Sequence, residues 1–120
     1  MSKVLLVEDN PSLLNLMESY LEDAGHTVIC ATDAKKAVEQ AVTHQPDIII
    51  TDIVMPGMSG FELCRSLKKH PITGSIPIMM CSSKNQEIDR LWGMKQGAAA
   101  YLTKPFSREQ FLRTVNLVVN

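Results

Sequence analysis

The chain lacks any apolar run longer than six residues, far below the roughly 20 that a helix needs to cross a bilayer, so membrane insertion is not expected. It also lacks a charged apolar leader, because Met1-Ser2-Lys3 runs straight into a strand-like stretch of four apolar residues. A soluble, cytoplasmic protein is the expectation. Cysteine is scarce: Cys30, Cys64 and Cys81 are odd in number, lack metal-type spacing and sit inside apolar stretches. They read as small buried hydrophobes in a reducing compartment. Excess charge is missing too, with a net charge of -1 and a pI near 6.3, which leaves no electrostatic footprint for direct nucleic-acid binding. There is no glycine-rich loop after the first apolar run, and there are no repeats, low-complexity tracts or linkers.

What is present fits one domain, residues 1–120, long enough for a single core. Five short apolar runs alternate with five helix-like segments. The runs are Val4 to Val7, Thr27 to Ala31, Ile48 to Thr51, Ile76 to Cys81 and Ala99 to Thr103. They are continuous rather than alternating, as expected of strands covered on both faces, and Pro77 suits only the first residues of its strand. Asn10-Pro11 reads as an N-cap with proline at the first helical position, followed by Leu13, Leu14, Met17, Tyr20, Leu21 and Ala24 at helical spacing until Gly25. Ala34, Ala37, Val38, Ala41 and Val42 form a second stripe, stopped by Pro46. Ser59-x-x-Glu62, Ser83-x-x-Gln86 and Ser107-x-x-Gln110 match the capping box, with Asn85 an alternative cap to Ser83. Right-handed crossovers and this alternation predict an α/β fold with a doubly wound five-stranded parallel sheet of flavodoxin-like type, order 2-1-3-4-5, and five helices.

Charge is unevenly spread: residues 1–52 hold three Lys/Arg against nine Asp/Glu, whereas residues 84–120 hold six against three. This suggests an acidic pocket. Asp52 closes the run Ile48-Ile49-Ile50-Thr51, Glu8 and Asp9 follow Val4 to Val7 in the same way, and Lys104 follows Tyr101-Leu102-Thr103. In the predicted strand order these ends meet where the chain reverses, beyond the carboxyl ends of the strands, with Ser82 and Lys104 on the same edge. Three clustered carboxylates repel one another unless a cation joins them. Oxygen ligands without His or Cys select a hard ion, and Mg2+ is the abundant choice. A metal with an adjacent lysine suits phosphoryl chemistry, in which Asp52 can be the nucleophile and the Ser82 hydroxyl a donor to a phosphoryl oxygen.

The chain resembles a two-component response regulator receiver domain over its full length. The resemblance is carried by Val7-Glu8-Asp9-Asn10, Thr51-Asp52-Ile53-Val54-Met55-Pro56, Met80-Cys81-Ser82-Ser83 and Tyr101-Leu102-Thr103-Lys104-Pro105-Phe106. It implies that Asp52 takes a phosphoryl group from a histidine kinase, with Glu8, Asp9, Asp52 and the Val54 backbone carbonyl around Mg2+. It also implies a cis bond at Lys104-Pro105. The phosphoryl group would draw the Ser82 hydroxyl inward, and the Tyr101 ring would follow. The surface of the fourth helix, fifth strand and fifth helix would then switch and control a separate target protein. Such a protein is a signalling module and not an enzyme beyond its own phosphorylation and dephosphorylation. No DNA-binding or enzymatic segment is expected after Asn120, so the resemblance is to a stand-alone regulator, and Lys84 to Gly93 resembles regulators of type IV pilus twitching or phototaxis.

Two features depart from the family pattern or stand apart from it. Ala99 and Ala100 replace acids that often pair two receivers, so a monomer, or at most a weak dimer, is expected. Trp92 reads as a packing residue. A phosphohydrolase of the haloacid dehalogenase type would need an acid two residues after the nucleophile, where this chain has Val54. A nucleotide-binding module would need a phosphate loop where Glu8-Asp9-Asn10-Pro11 stands, and these acids would repel phosphate without a metal. A degenerate receiver used only for docking is disfavoured because every chemical position is filled.

Overall fold

A computed structural model describes all residues from Met1 to Asn120. Strands and helices alternate as β1 (Lys3–Val7), α1 (Pro11–Asp23), β2 (Thr27–Ala31), α2 (Ala34–His44), β3 (Ile48–Thr51), α3 (Gly60–Lys69), β4 (Ile78–Ser82), α4 (Glu87–Lys95), β5 (Ala100–Thr103) and α5 (Arg108–Val119). All four strand pairings are parallel and the order is β2-β1-β3-β4-β5, as the alternation and the crossover rule predict.

The pleat explains why the strand sequences are continuously apolar. Leu5, Val7, Ile49, Ile78 and Met80 point into one layer with the alanines of α2 and with Leu63 and Leu67 of α3. Val4, Leu6, Ile48, Ile50, Met79 and Cys81 point into the other, against Met17 and Leu21 of α1 and Phe111 and Val115 of α5. Helix α4 contributes no side chain to either layer, and its one buried residue is Gly93. A Cβ there would lie 2.8 Å from Met80 Sδ and 3.2 Å from the Tyr101 ring, so α4 touches the sheet through bare backbone.

Several local signals operate as written in the sequence. Asn10 Oδ1 accepts from the Leu13 N–H at 3.1 Å with Pro11 next to it, and both Ser59/Glu62 and Ser107/Gln110 form reciprocal capping boxes. Helix α2 ends at His44, and Gln45, Pro46 and Asp47 lead into β3, with Gln45 left-handed at φ 46°.

Other expectations are corrected. Strand β4 starts at Ile78 rather than Ile76, because Pro77 has no N–H to give and contributes only its carbonyl, which accepts from Ile49. Neither Ser83 nor Asn85 caps α4. The Lys84 N–H is taken by Ser82 Oγ and its carbonyl by the Tyr101 hydroxyl, so residue 84 cannot join a helical ladder. The helix starts instead at Glu87, where the Asp89 carboxylate accepts from the Gln86 N–H. Trp92 is not a packing residue, since 44% of it is exposed. Cys30 is only partly buried, unlike Cys64 and Cys81. Burial nevertheless pushes the thiols of Cys30 and Cys64 up to about 11, which disfavours the thiolate form.

One glycine determines how closely α3 approaches the end of β3. At Gly60 an added Cβ would be driven into the Asp52 carbonyl oxygen and would lie 2.7 Å from Ile53 Cα. The Gly60 N–H also donates to the Ile53 carbonyl at 2.8 Å, which closes the β3-α3 loop. Gly60→Ala should therefore destabilise the protein by about 3 kcal/mol, the upper range for overpacking against rigid backbone. Urea unfolding that left the midpoint unchanged would show that the loop yields freely.

Candidate metal centre

The sheet itself delivers the acids to one place. The ladder continues one residue past β1 and β3, with the Glu8 N–H donating to Ala31 and the Asp52 N–H to Val7, each at 3.1 Å. Because Val7 is in register with both Ala31 and Thr51, Glu8 and Asp52 leave the sheet at the same level on adjacent strands. Asp9 follows, and ligand oxygens of Glu8, Asp9 and Asp52 all lie within 4.8 Å of one another. Glu8 is 2% exposed and Asp52 9%, whereas Asp9 opens to solvent. From the other side of the edge, the Lys104 N–H donates to the Ser82 carbonyl at 2.8 Å, which ties the end of β5 to that of β4. The Lys104-Pro105 bond is cis, as the resemblance implies.

Lys104 Nζ lies 2.8 Å from Glu8 Oε1 and 3.2 Å from Asp52 Oδ2. The other Glu8 oxygen accepts from the Asn10 N–H at 3.2 Å. Asp52 Oδ1 accepts from the Ile53 N–H at 2.7 Å and, at 3.4 Å, from Val54. Both buried carboxylates are thus oriented by backbone donors on one oxygen and by one ammonium on the other. Burial alone would lower the Lys104 ammonium, but the Glu8 hydrogen bond and the charges of Asp52 and Glu8 outweigh it and hold the group above its ordinary value. Three carboxylates against one ammonium leave two negative charges, which a divalent cation balances. The donor set is oxygen throughout, with an exposed flank at Asp9 for retained waters, and this fits Mg2+.

The remaining sequence-nominated residues surround this core. Ser82 is fully buried at the end of β4, in register with Thr103. Val54 is 57% exposed at the rim, with its side chain unable to hydrogen-bond. Tyr101 packs its ring beside Gly93 and donates its hydroxyl to the Lys84 carbonyl at 2.6 Å. Burial, followed by the charges of Asp89 and Asp52, raises its phenol above the ordinary value. The backbone of one residue therefore links Ser82 and Tyr101, since the Lys84 N–H donates to the first and the Lys84 carbonyl accepts from the second.

Sequence reading missed four contributors: the Asn10 and Ile53 N–H groups that aim the carboxylates, the Thr51 hydroxyl that donates to the Asp52 carbonyl at 2.8 Å, and Gly60. The last had a visible signal. Glycine is a poor choice at the first position of a helix unless something passes close by.

Comparison with known proteins agrees with this geometry. The family described as "Response regulator receiver domain" matches residues 4–116. The chain is similar to Protein PilH of Pseudomonas aeruginosa, 40% identical over 119 residues that cover 99% of this chain and 98% of PilH. It is similar to the chemotaxis response regulator CheY4 of Vibrio cholerae, with a TM-score of 0.93, 34% identity and 98% of each chain covered. It also resembles the receiver domain of a Pseudomonas aeruginosa sensor histidine kinase, with a TM-score of 0.90, 28% identity, and 98% and 97% of the two chains covered. That structure has a magnesium ion coordinated in its active-site cleft.

Deleting the ammonium tests the electrostatics. In metal-free buffer at neutral pH, Lys104→Met should cost about 2 kcal/mol, below the full cost of orphaning a buried ion because Asp9 keeps the site wet. A group whose pKa is raised on folding stabilises fully below its unfolded value near 10.4 and loses that contribution as pH rises through the folded value. The gap between wild type and variant in urea should therefore close above about pH 10.5. A gap that widened there would refute the assignment.

Proposed function

The chain belongs to the response regulator receiver domain family, and from that premise we propose that Asp52 accepts a phosphoryl group from a histidine kinase with the help of Mg2+. The single observation that supports this reading is the trio of carboxylates within 4.8 Å of one another, two of them held by Lys104. Receiver domains are signalling proteins rather than metabolic enzymes. Glu8, Asp9, Asp52 and the Val54 carbonyl would hold Mg2+, whose charge when bound offsets that of the phosphoryl oxygens.

Asp52 Oδ2 has no backbone donor, so it is the oxygen free to attack. It forms the new O–P bond as the N–P bond of the kinase phosphohistidine breaks, and the imidazole leaves with the electron pair. Oδ1 stays on the Ile53 N–H, which fixes the angle of approach. Lys104, freed from sharing itself between two carboxylates, turns its donors to the incoming phosphoryl oxygens. The Ser82 hydroxyl turns inward to donate to another of them, and that movement takes its oxygen away from the Lys84 N–H. Lys84 also carries the acceptor of Tyr101, so its backbone couples the site to β5. Through that coupling the α4-β5-α5 surface changes and controls a separate target protein. A phosphohydrolase is disfavoured because Val54 stands where a second proton-transferring acid would be needed.

Incubation with acetyl phosphate and Mg2+ should add one phosphoryl group by intact-mass analysis, and Asp52→Ala should abolish it. Addition that persisted in Asp52→Ala, or that ignored chelation of the metal, would refute the reading.

The acyl phosphate should be long-lived. Val54 and Lys84, two places beyond Asp52 and Ser82, flank the path of an attacking water, and neither side chain offers an acceptor to orient it. Only the Lys84 backbone is engaged, so Lys84→Glu can be made without breaking those bonds. Val54→Asn with Lys84→Glu should lose phosphate about 10-fold faster than wild type at saturating Mg2+. Equal decay rates would assign the lifetime to backbone geometry.

A further inference from the structure

Ile48, Ile49 and Ile50 lead up to Thr51 on β3, and valine in its place would extend the run with the same shape and no polar atom. Thr51 is fully buried. Alternation along the strand turns it, with Ile49, toward the layer that holds α3. A buried hydroxyl costs free energy unless it is bonded, so this one needs a partner. It donates to the Asp52 carbonyl oxygen at 2.8 Å, and no backbone N–H donates to that oxygen.

That carbonyl belongs to the peptide group between Asp52 and Ile53, which is planar, so its oxygen and its N–H turn together. The N–H is the donor that holds Asp52 Oδ1 at 2.7 Å. Whatever fixes the carbonyl therefore fixes the carboxylate. Two groups hold it in place. The Thr51 hydroxyl bonds the oxygen, and Gly60 leaves the space that the oxygen fills, since a Cβ there would be driven into it. The Gly60 N–H bonds only the next carbonyl, that of Ile53. With Oδ1 held in this way, Asp52 Oδ2 is left beside Lys104 Nζ at 3.2 Å.

We infer that Thr51 is a positioning residue for phosphoryl transfer: its hydroxyl clamps the peptide after Asp52 and, through the Ile53 N–H, sets the angle at which Oδ2 meets the phosphorus. This rests on the reading of Asp52 as the phosphoacceptor and adds to it a side chain that touches no reacting atom. The reaction is sensitive to such a clamp because transfer depends on the line between the attacking oxygen and the phosphorus. If the bond merely satisfied a buried hydroxyl, removing the hydroxyl would remove the need for it and transfer would go on unchanged.

The test uses Thr51→Val and Thr51→Ala, which remove the hydroxyl with and without a methyl in its place, beside Thr51→Ser, which keeps it. Circular dichroism checks folding, and either of the first two variants suffices if the other does not fold. In metal-free protein, nitrogen-15 NMR should show the Ile53 amide exchanging with solvent about 10-fold faster than in the wild type when the hydroxyl is absent, and within about twofold of it in Thr51→Ser. The Asp52 and Gly60 amides, held by the Val7 and Ile53 carbonyls, should be unchanged. Loosening of all three amides together would mean a structural role and overturn the proposal. With Mg2+ and saturating acetyl phosphate, intact-mass time courses should show labelling about 10-fold slower without the hydroxyl, the scale of one neutral hydrogen bond, at a half-saturating concentration within about twofold of the wild type. Thr51→Ser should recover to within about threefold. Wild-type rates in Thr51→Val and Thr51→Ala, or a serine variant as slow as they are, would overturn the proposal. Labelling of the wild type keeps the two readings apart. A wild type that takes no phosphoryl group while its Ile53 amide depends on the hydroxyl sinks the phosphoacceptor role and upholds the clamp, and a labelled wild type whose rate ignores the hydroxyl sinks the role of Thr51 alone.

Discussion

Lys104 Nζ bridges two nearly buried carboxylates at the ends of adjacent strands, one of them 96 residues away along the chain, and the arrangement of the whole sheet edge follows from that bridge. Without it Glu8 and Asp52 would face each other as like charges in a covered site, a situation proteins otherwise resolve by protonation or by moving apart. The ammonium neutralises one charge of three, so the site keeps an excess of two negative charges while the Glu8 and Asp52 carboxylates stay oriented. A folded scaffold that is complete without a metal, yet electrostatically suited to one, is what a reversible Mg2+-dependent reaction needs.

Stability and responsiveness are divided between regions. Two apolar layers clamp β1, β3 and β4 from both faces, and the carboxylates hang on the ends of those strands. Helix α4 stands outside both layers, anchored by Gly93 on Met80 and Tyr101. A helix with so little buried apolar area belongs to the low-stability end of a structure, where small changes at a site can be amplified. The hydrogen bonds that could carry such a change run from Ser82 to Lys84 and from Lys84 to Tyr101, at the foot of that same helix.

Apolar runs at strand length, separated by caps and prolines, were enough to give all ten elements and a parallel sheet, while the order 2-1-3-4-5 is the common one for a doubly wound sheet of five strands. Side-chain identity at strand ends was enough to find Glu8, Asp9, Asp52, Ser82 and Lys104, because a parallel sheet puts all its carboxyl ends on one edge. Capping was readable where serine and a glutamine or glutamate bracketed a free segment, as at Ser59 and Ser107. It misled at Ser83, where long-range bonds to Ser82 and Tyr101 had already claimed the Lys84 backbone.

Composition and periodicity thus carried the topology, the acidic cluster and its oxygen-only character, since these depend on residue type and order along the chain. The pairing of Lys104 with both Glu8 and Asp52, the need for Gly60 beneath the Asp52 carbonyl and the outward stripe of Ile88, Leu91 and Trp92 emerged only in three dimensions. Each is a distance between segments remote in sequence. A helical stripe at α4 spacing looks the same in a sequence whether it faces a core or water. The direction is set by what stands on the other side, here a glycine that let the tyrosine of β5 come close.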